Sequence, residues 1–283
     1  LKLTVGSKII ITSCLCSPTQ LFIDLYPDKI SLVFSQSSAM SLIYQYPSLI
    51  PGRLIKRYKR FLADIELVTG EVITAHCPNT GPMTGICTPD SLVQVSKSDN
   101  PQRKLAYTWE MIQLGSTWVG TNTAIPNRVI KLALQQQLLP ELANKCKVIR
   151  SEVAYGKDNK SRIDFLLTGD STQPTIYVEV KSVTLSTGNL ALFPDTVTLR
   201  GQKHLRELTD LVPETKAVML YFINRGDCDT FAPSDTCDPK YGELLRQAVA
   251  QGVQVLPYRF EITPQGISCL GVADFLACEP IVN

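Results

Sequence analysis

The stretch from Ser151 to Lys181 constrains this chain more than any other, because it sets charged side chains inside runs that otherwise read as buried. Asp164 stands in Ser161-Arg-Ile-Asp-Phe-Leu-Leu167, a run bounded by Gly169, while Glu179 and Lys181 interrupt Ile176-Tyr-Val-Glu-Val-Lys-Ser182. Their β-branched, aromatic and apolar content marks both runs as strands. Residues two apart on a strand point to one face, so Glu179 and Lys181 are expected side by side. A hairpin through the polar segment from Thr168 to Pro174 brings Asp164 near Glu179, with Glu152 on a neighbouring strand. A charge in an apolar strand costs several kcal/mol unless it has a partner or a metal.

Three carboxylates and one amine suit metal-assisted cleavage of a phosphodiester. Mg²⁺ takes hard oxygen ligands from a few carboxylates and keeps waters in its other positions. Asp164, Glu179 and Glu152 are therefore the expected ligands of Mg²⁺ or Mn²⁺, and Lys181 adds positive charge where a phosphate gains negative charge. The plainer reading of each residue alone is a solvated acid at a strand end, or an ordinary Glu-x-Lys surface pair.

A chain of 283 residues exceeds the usual single domain, so two domains are expected. The net charge of +2 is too small to mark a nucleic-acid partner by itself, so any basic surface must be local. Nine cysteines without a Cys-x-x-Cys spacing, and two histidines, give little support to a zinc site and fit reduced thiols inside a cell. Residues 1–45 read as a leader, poor in charge and rich in Ser, Ile and Leu. Its apolar runs are too short for a membrane span, so no membrane partner is expected. The composition fits neither a secretory signal nor a transit peptide well; cytoplasm is the expected location and a plastid the alternative. The change of character at Met40 suggests that the functional chain starts near there.

Residues 46–100 read as a small β-barrel, with short strands at 65–68, 72–76 and 92–96 and turn signals between them. Its first strand carries Arg53, Lys56, Arg57, Lys59 and Arg60 with Tyr58 and Phe61 interleaved. Charge on both faces of a strand keeps it out of a sandwich interior, so it is expected as an edge or ridge. Such a ridge suits a phosphate backbone with bases against its rings; a solvated edge whose lysines deter aggregation is the alternative. His76 reads as a packed or hydrogen-bonded loop residue.

Residues 101–275 alternate helices and strands, as an α/β domain with a mixed central sheet and helices on its faces. Pro126 opens a helix with Ile130, Ala133, Leu134 and Leu138 on one side, limited by Pro140. Arg200 to Leu208 is a second helix, packed through Leu205, Leu208 and Val212. Gln202 and Arg206 share a face beside Lys203, a surface that could hold a phosphate. Asp238-Pro239 caps a third helix, with Tyr241, Leu244, Leu245 and Ala248 inward and Gly252 at its end. Residues 276–283 form a tail.

Several runs together resemble the sugar fermentation stimulation protein A family, in a cyanobacterial or plastid-like form. They include Leu54-Ile-Lys-Arg-Tyr-Lys-Arg-Phe-Leu-Ala-Asp64, His76-Cys-Pro-Asn-Thr-Gly81, Ser161-Arg-Ile-Asp-Phe165, Val178-Glu-Val-Lys-Ser-Val-Thr-Leu185, Phe193-Pro-Asp195 and Arg200-Gly-Gln-Lys-His-Leu-Arg-Glu-Leu208. The resemblance implies an OB-like barrel followed by a PD-(D/E)xK nuclease fold, a DNA partner and a link to sugar, particularly maltose, utilisation. Carried over by motif, Asp164, Glu179 and Lys181 take the nuclease positions and Glu152 the additional acid. Ile163 stands where the motif has proline. Two functions are expected to compete: a metal-dependent nuclease, and a DNA-binding regulator on the same scaffold that does no chemistry.

Overall fold

The computed structural model describes residues 41–143, 147–156, 161–170, 173–212 and 214–278, with the strand backbone at 9–11, 19–26 and 29–36. Residues 1–41 form a unit of their own, a three-stranded antiparallel sheet in the order β1 (Ile9–Ile11), β2 (Thr19–Tyr26), β3 (Lys29–Gln36). The chain start expected at Met40 lies outside the described residues.

In the second unit, residues 42–283, β4 (Leu42–Gln45) comes first and is followed by a barrel. Its strands are β5 (Leu49–Tyr58), β6 (Leu62–Leu67), β7 (Val72–His76), β8 (Leu92–Lys97) and β9 (Tyr107–Leu114), with β10 (Thr117–Gly120) hairpinned onto β9. The ring closes through β9, which pairs with both β7 and β8. Period-2 alternation explains the interior: Ala63, Ile65 and Leu67 of β6 and Val93 and Val95 of β8 point inward, where Trp109 and Ile112 join them. That packing assigns β9 and β10 to the barrel, although a boundary at residue 100 puts them in the second domain. Gly52 sits where β5 passes between β8 and β6, and a Cβ there would lie 2.7 Å from the Glu66 carbonyl oxygen.

The basic ridge is only partly a strand. β8 pairs with Leu49 to Arg53 and β6 with Gly52 to Tyr58, so the outer half of β5 has a single bonded neighbour, as an edge should. Lys59 and Arg60 follow in a left-handed turn with φ of 48° and 64°, which ends the alternation of faces expected through Phe61.

The larger domain contains α1 (Ile125–Gln135), β11 (Val148–Tyr155), β12 (Ser161–Thr168), β13 (Ile176–Val183), β14 (Leu185–Thr187), β15 (Leu190–Phe193), α2 (Leu199–Leu211), β16 (Lys216–Ile223), β17 (Thr230–Pro233), α3 (Pro239–Ala250), β18 (Gln254–Ile262), β19 (Gly266–Val272) and β20 (Asp274–Phe275). Seven strands form the central sheet in the order β11-β12-β13-β16-β18-β19-β4. β13, β16 and β18 run parallel and the outer pairs antiparallel, giving the mixed sheet expected. Its edge is β4, from a segment that reads as leader in the sequence. Helix α1 covers one face through Val129, Ile130 and Ala133, packed with Phe165, Val178 and Phe222. Helices α2 and α3 cover the other through Leu205, Leu208, Leu244 and Leu245, packed with Ile163, Met219 and Tyr221. Strands β14, β15, β17 and β20 make a small second sheet.

The caps follow local chemistry. Asp238 accepts from the Tyr241 amide at 3.0 Å, and Thr198 from the Gly201 amide at 3.1 Å. Helix α1 stops short of Pro140: Gln137 adopts φ 55°, and Leu138, expected on the packed face, is 39% exposed. No helix among the described residues is long and apolar enough to cross a membrane.

Candidate active site

The hairpin of β12 and β13 organises the site. Its ladder pairs Leu167 with Ile176, Leu166 with Tyr177 and Phe165 with Val178. Past Phe165, the Asp164 carboxylate takes the next backbone donor: Oδ2 accepts from the Val180 amide at 2.7 Å. Its Oδ1 accepts from Asn127 Nδ2 at 2.8 Å. Asn127 is presented by the first turn of α1, whose start is fixed from the barrel. Buried Glu110 accepts from the Asn122 amide at 2.8 Å, and Asn122 Oδ1 accepts from the Ala124 backbone at 3.0 Å.

Glu179 is 3% exposed, on the face of β13 that α2 covers. Its Oε1 accepts from Lys181 Nζ at 2.6 Å and is also met by Nδ1 of His204, which is 4% exposed on α2. Lys181 Nζ lies 3.2 Å from the same ring nitrogen. The second oxygen, Glu179 Oε2, is buried with no hydrogen-bond partner among the described residues. The environment pushes the two carboxyls apart. Burial, then the Glu179 charge, raises Asp164 to about 6. For Glu179 burial acts in the same direction, but the His204 hydrogen bond and the Lys181 charge outweigh it and hold the carboxyl below its ordinary value.

The other expected residues fall into two groups. Glu152 is exposed on β11 with φ 54° and borders an open cleft with Ser161, Arg162, Arg200, Lys203 and His204. It does not join Asp164 and Glu179: among the described residues no group of three or more His, Cys, Asp or Glu side chains is placed to hold a metal ion. The left-handed kink between the Ser151 and Val153 pairings breaks the alternation that would carry it there. Lys203 faces the cleft, donates to Ser161 Oγ at 2.9 Å and lies 3.5 Å from Glu207. Arg206 is exposed.

Gln202 does not face a ligand. It is 6% exposed, and its amide donates to both oxygens of Asp238 at 3.0 and 3.1 Å, tying α2 to the cap of α3. Arg57 is likewise committed internally. Its guanidinium donates to the carbonyls of Arg60 (3.0 and 2.6 Å), Asn79 (2.9 Å), Gly81 (2.8 Å) and Pro82 (3.4 Å), so it clamps the loop after β7. Arg53 donates to the Asp90 carbonyl at 2.8 Å, and Lys56 lies 3.6 Å from Asp64 and 5.5 Å from the Tyr58 ring centroid. Tyr58 Oη donates to Asp64 at 3.0 Å. Lys59 and Arg60 remain exposed at the hairpin tip. The sequence reading missed His204 and Asn127. A signal for His204 exists, because Gly201, His204, Leu205 and Leu208 follow the spacing of the buried face of α2.

A closed five-stranded barrel followed by a mixed sheet carrying Asp164, Glu179 and Lys181 on its β12–β13 hairpin defines an OB domain joined to an α/β domain of restriction-endonuclease type. Residues 55–121 match the family domain described as "SfsA N-terminal OB domain", and residues 124–266 match "Sugar fermentation stimulation protein RE domain". The chain belongs to the sugar fermentation stimulation protein (SfsA) family. It is 67% identical over 236 residues to the sugar fermentation stimulation protein homolog of Rippkaea orientalis, covering 83% of this chain and 98% of that one. With the homolog of Synechocystis sp. the identity is 62% over 237 residues, covering 84% and 100%. The solved structure described as Pyrococcus furiosus SfsA in complex with Ca²⁺ superposes with a TM-score of 0.75 at 25% identity, covering 83% of this chain and 99% of that one.

Proposed function

We propose that this protein binds DNA and hydrolyses phosphodiester bonds at Asp164 and Glu179 with a divalent cation, Mg²⁺ or Mn²⁺. The observation that carries the reading is Glu179 Oε2, a buried carboxylate oxygen beside Asp164 that has no partner among the described residues. Leaving such an atom unpaired is costly, and a hard cation is the partner its chemistry favours. Two carboxylates suffice for Mg²⁺, which keeps waters in its remaining positions, so the donor set fits. The Ca²⁺ complex of the Pyrococcus relative supports a hard-cation site in this fold. When bound, the cation supplies charge neutralisation at phosphate and a bound water of lowered pKa.

The chain's own residues do the positioning. Asn127 and the Val180 amide fix the Asp164 carboxylate. His204 and Lys181 fix Oε1 of Glu179, so its other oxygen is held in one direction. The Lys181 ammonium, already oriented, puts positive charge where the phosphate gains negative charge, with little reorganisation. Lys203, Arg200 and Arg162 around the cleft, with Lys59 and Arg60 on the barrel, supply phosphate contacts.

A second reading is a DNA-binding regulator of sugar metabolism that does no chemistry. It is favoured by the engagement of Glu179 Oε1 with Lys181 and His204, and by the position of Glu152, which leaves two carboxylates rather than three for a cation. Labelled single- and double-stranded DNA and RNA, incubated with this chain and its Glu179→Ala and Lys181→Ala variants in Mg²⁺, Mn²⁺ or EDTA, separate the two. Cleavage that needs the cation and disappears in both folded variants is expected. Binding by all three proteins without cleavage above background would leave the regulator.

A further inference from the structure

A second polar site lies where the barrel meets the larger domain. The barrel loop clamped by Arg57 approaches the Phe193-Pro-Asp195 segment so closely that a Cβ on Gly81 would stand 3.4 Å from Asp195 Oδ2. Between them is a cavity of about 170 Å³ with Leu185, Leu192 and Phe193 forming an apolar wall. Its polar lining comes from Asn79, Ser182, Thr184 and Asp195, and no Lys or Arg takes part. The phosphate cleft beside α2 is lined by Arg162, Arg200 and Lys203, so the two sites differ in the chemistry they accept.

We infer that this cavity receives one unstacked pyrimidine base, cytosine before thymine, of a nucleic-acid strand whose backbone lies at Asp164, Glu179 and Lys181. The inference rests on the proposed function and names its substrate class as single-stranded or locally opened. Size is the first argument. A cavity of about 150 Å³ takes a benzene ring, so 170 Å³ suits a six-membered ring with its exocyclic groups better than a purine bicycle.

Chemistry is the second argument. Thr184 is 8% exposed and lines the cavity, where its hydroxyl can donate to or accept from a ring substituent. Asn79 Oδ1 accepts from the Gly81 amide at 2.9 Å, which leaves its Nδ2 to donate to a ring carbonyl. The Asp195 carboxylate is an acceptor for the cytosine amino group, the pairing acids make with that base elsewhere. An apolar wall with a few convergent donors and acceptors is how extruded bases are held.

Continuity is the third argument. Ser182 follows Lys181 on β13, and Thr123, also on the cavity wall, lies just ahead of α1, four residues before Asn127 in its first turn. Asn127 in turn holds Asp164. A nucleotide with its phosphate at the carboxylates therefore has the cavity within reach of its base.

The test is fluorescence anisotropy in EDTA, so that cleavage plays no part, with labelled oligo-dA strands carrying one central deoxycytidine, deoxyadenosine or abasic position. The deoxycytidine strand is expected to bind about tenfold more tightly than the other two, and Asp195→Asn to reduce that ratio below threefold. Because Asp195 also accepts from the Met83 backbone, the abasic comparison in the unaltered protein decides the matter if the variant misfolds. Equal binding of the three strands would overturn the base pocket and leave the nuclease or regulator reading standing. Failure to bind any strand would overturn both. A deoxycytidine preference here, joined to no cleavage in Mg²⁺ or Mn²⁺ in the assay of the proposed function, would uphold the pocket and remove the nuclease.

Discussion

Arg57 offers a sharp test of how polar groups are used in the barrel, because the sequence makes it a phosphate contact and the structure makes it a clamp. Its guanidinium reaches the carbonyls of Asn79, Gly81 and Pro82 in the barrel loop after β7, as well as Arg60 in its own hairpin. A hydrogen bond to a charged group contributes about 1.5–3 kcal/mol. The loop contacts share two nitrogens and are partly wet, so Arg57→Ala should cost about 3 kcal/mol rather than the sum. For a unit of this size that lowers Tm by roughly 6–12 °C. Tryptophan fluorescence reports it directly, since both tryptophans, Trp109 and Trp118, lie in β9 and β10 of the barrel sheet. Arg57→Lys keeps the charge but not the planar fork, and should lose nearly as much. If Arg57→Ala left Tm unchanged while reducing the salt slope of DNA binding by about one, the clamp would be refuted and the phosphate role restored.

Two further perturbations act on separate parts of the same unit. Asp164 ionises at about 6 when folded against an ordinary 3.8, so the unfolded chain loses its proton first as pH rises. Stability from this group is therefore full below about 3.8 and lost as pH climbs through about 6, by about 2–3 kcal/mol. Urea unfolding of Asp164→Asn and the parent in EDTA should show their difference moving toward the variant by that amount between pH 4 and 7, and a constant difference would refute the shift. Gly52→Ala puts a Cβ 2.7 Å from the Glu66 carbonyl oxygen and the Ile65 side chain. The backbone there cannot yield cheaply, so the urea midpoint should fall by an amount equivalent to about 1–3 kcal/mol; an unchanged midpoint would show that β5 can move away from β6.

What the sequence made legible was whatever depends on near neighbours. Alternation placed Ala63, Ile65 and Leu67 inside the barrel, the hairpin pattern brought Asp164 toward Glu179, and the Asp238 cap followed from residues three apart. Illegible features depend on partners far along the chain. Gln202 looked available beside Arg206 because the helix rule sees only four residues, whereas its partner Asp238 lies 36 residues on. Arg57 looked free because its acceptors are backbone carbonyls, which no side-chain pattern reveals. Glu152 was misplaced because a single left-handed residue reverses which way a strand side chain points.

The distinction that matters for function is whether a polar group closes its hydrogen bonds within the chain. Arg57 and Gln202 do, and removing them should be felt as lost stability. Among the described residues Glu179 Oε2 does not, and the Thr184 hydroxyl borders the cavity. One is hard, anionic and buried beside a second carboxylate; the other is neutral and faces an apolar wall. On the proposed function a divalent cation answers the first, and a nucleotide whose phosphate that cation neutralises brings a flat, partly polar ring to the second. For this reason the two groups are better explained together than apart.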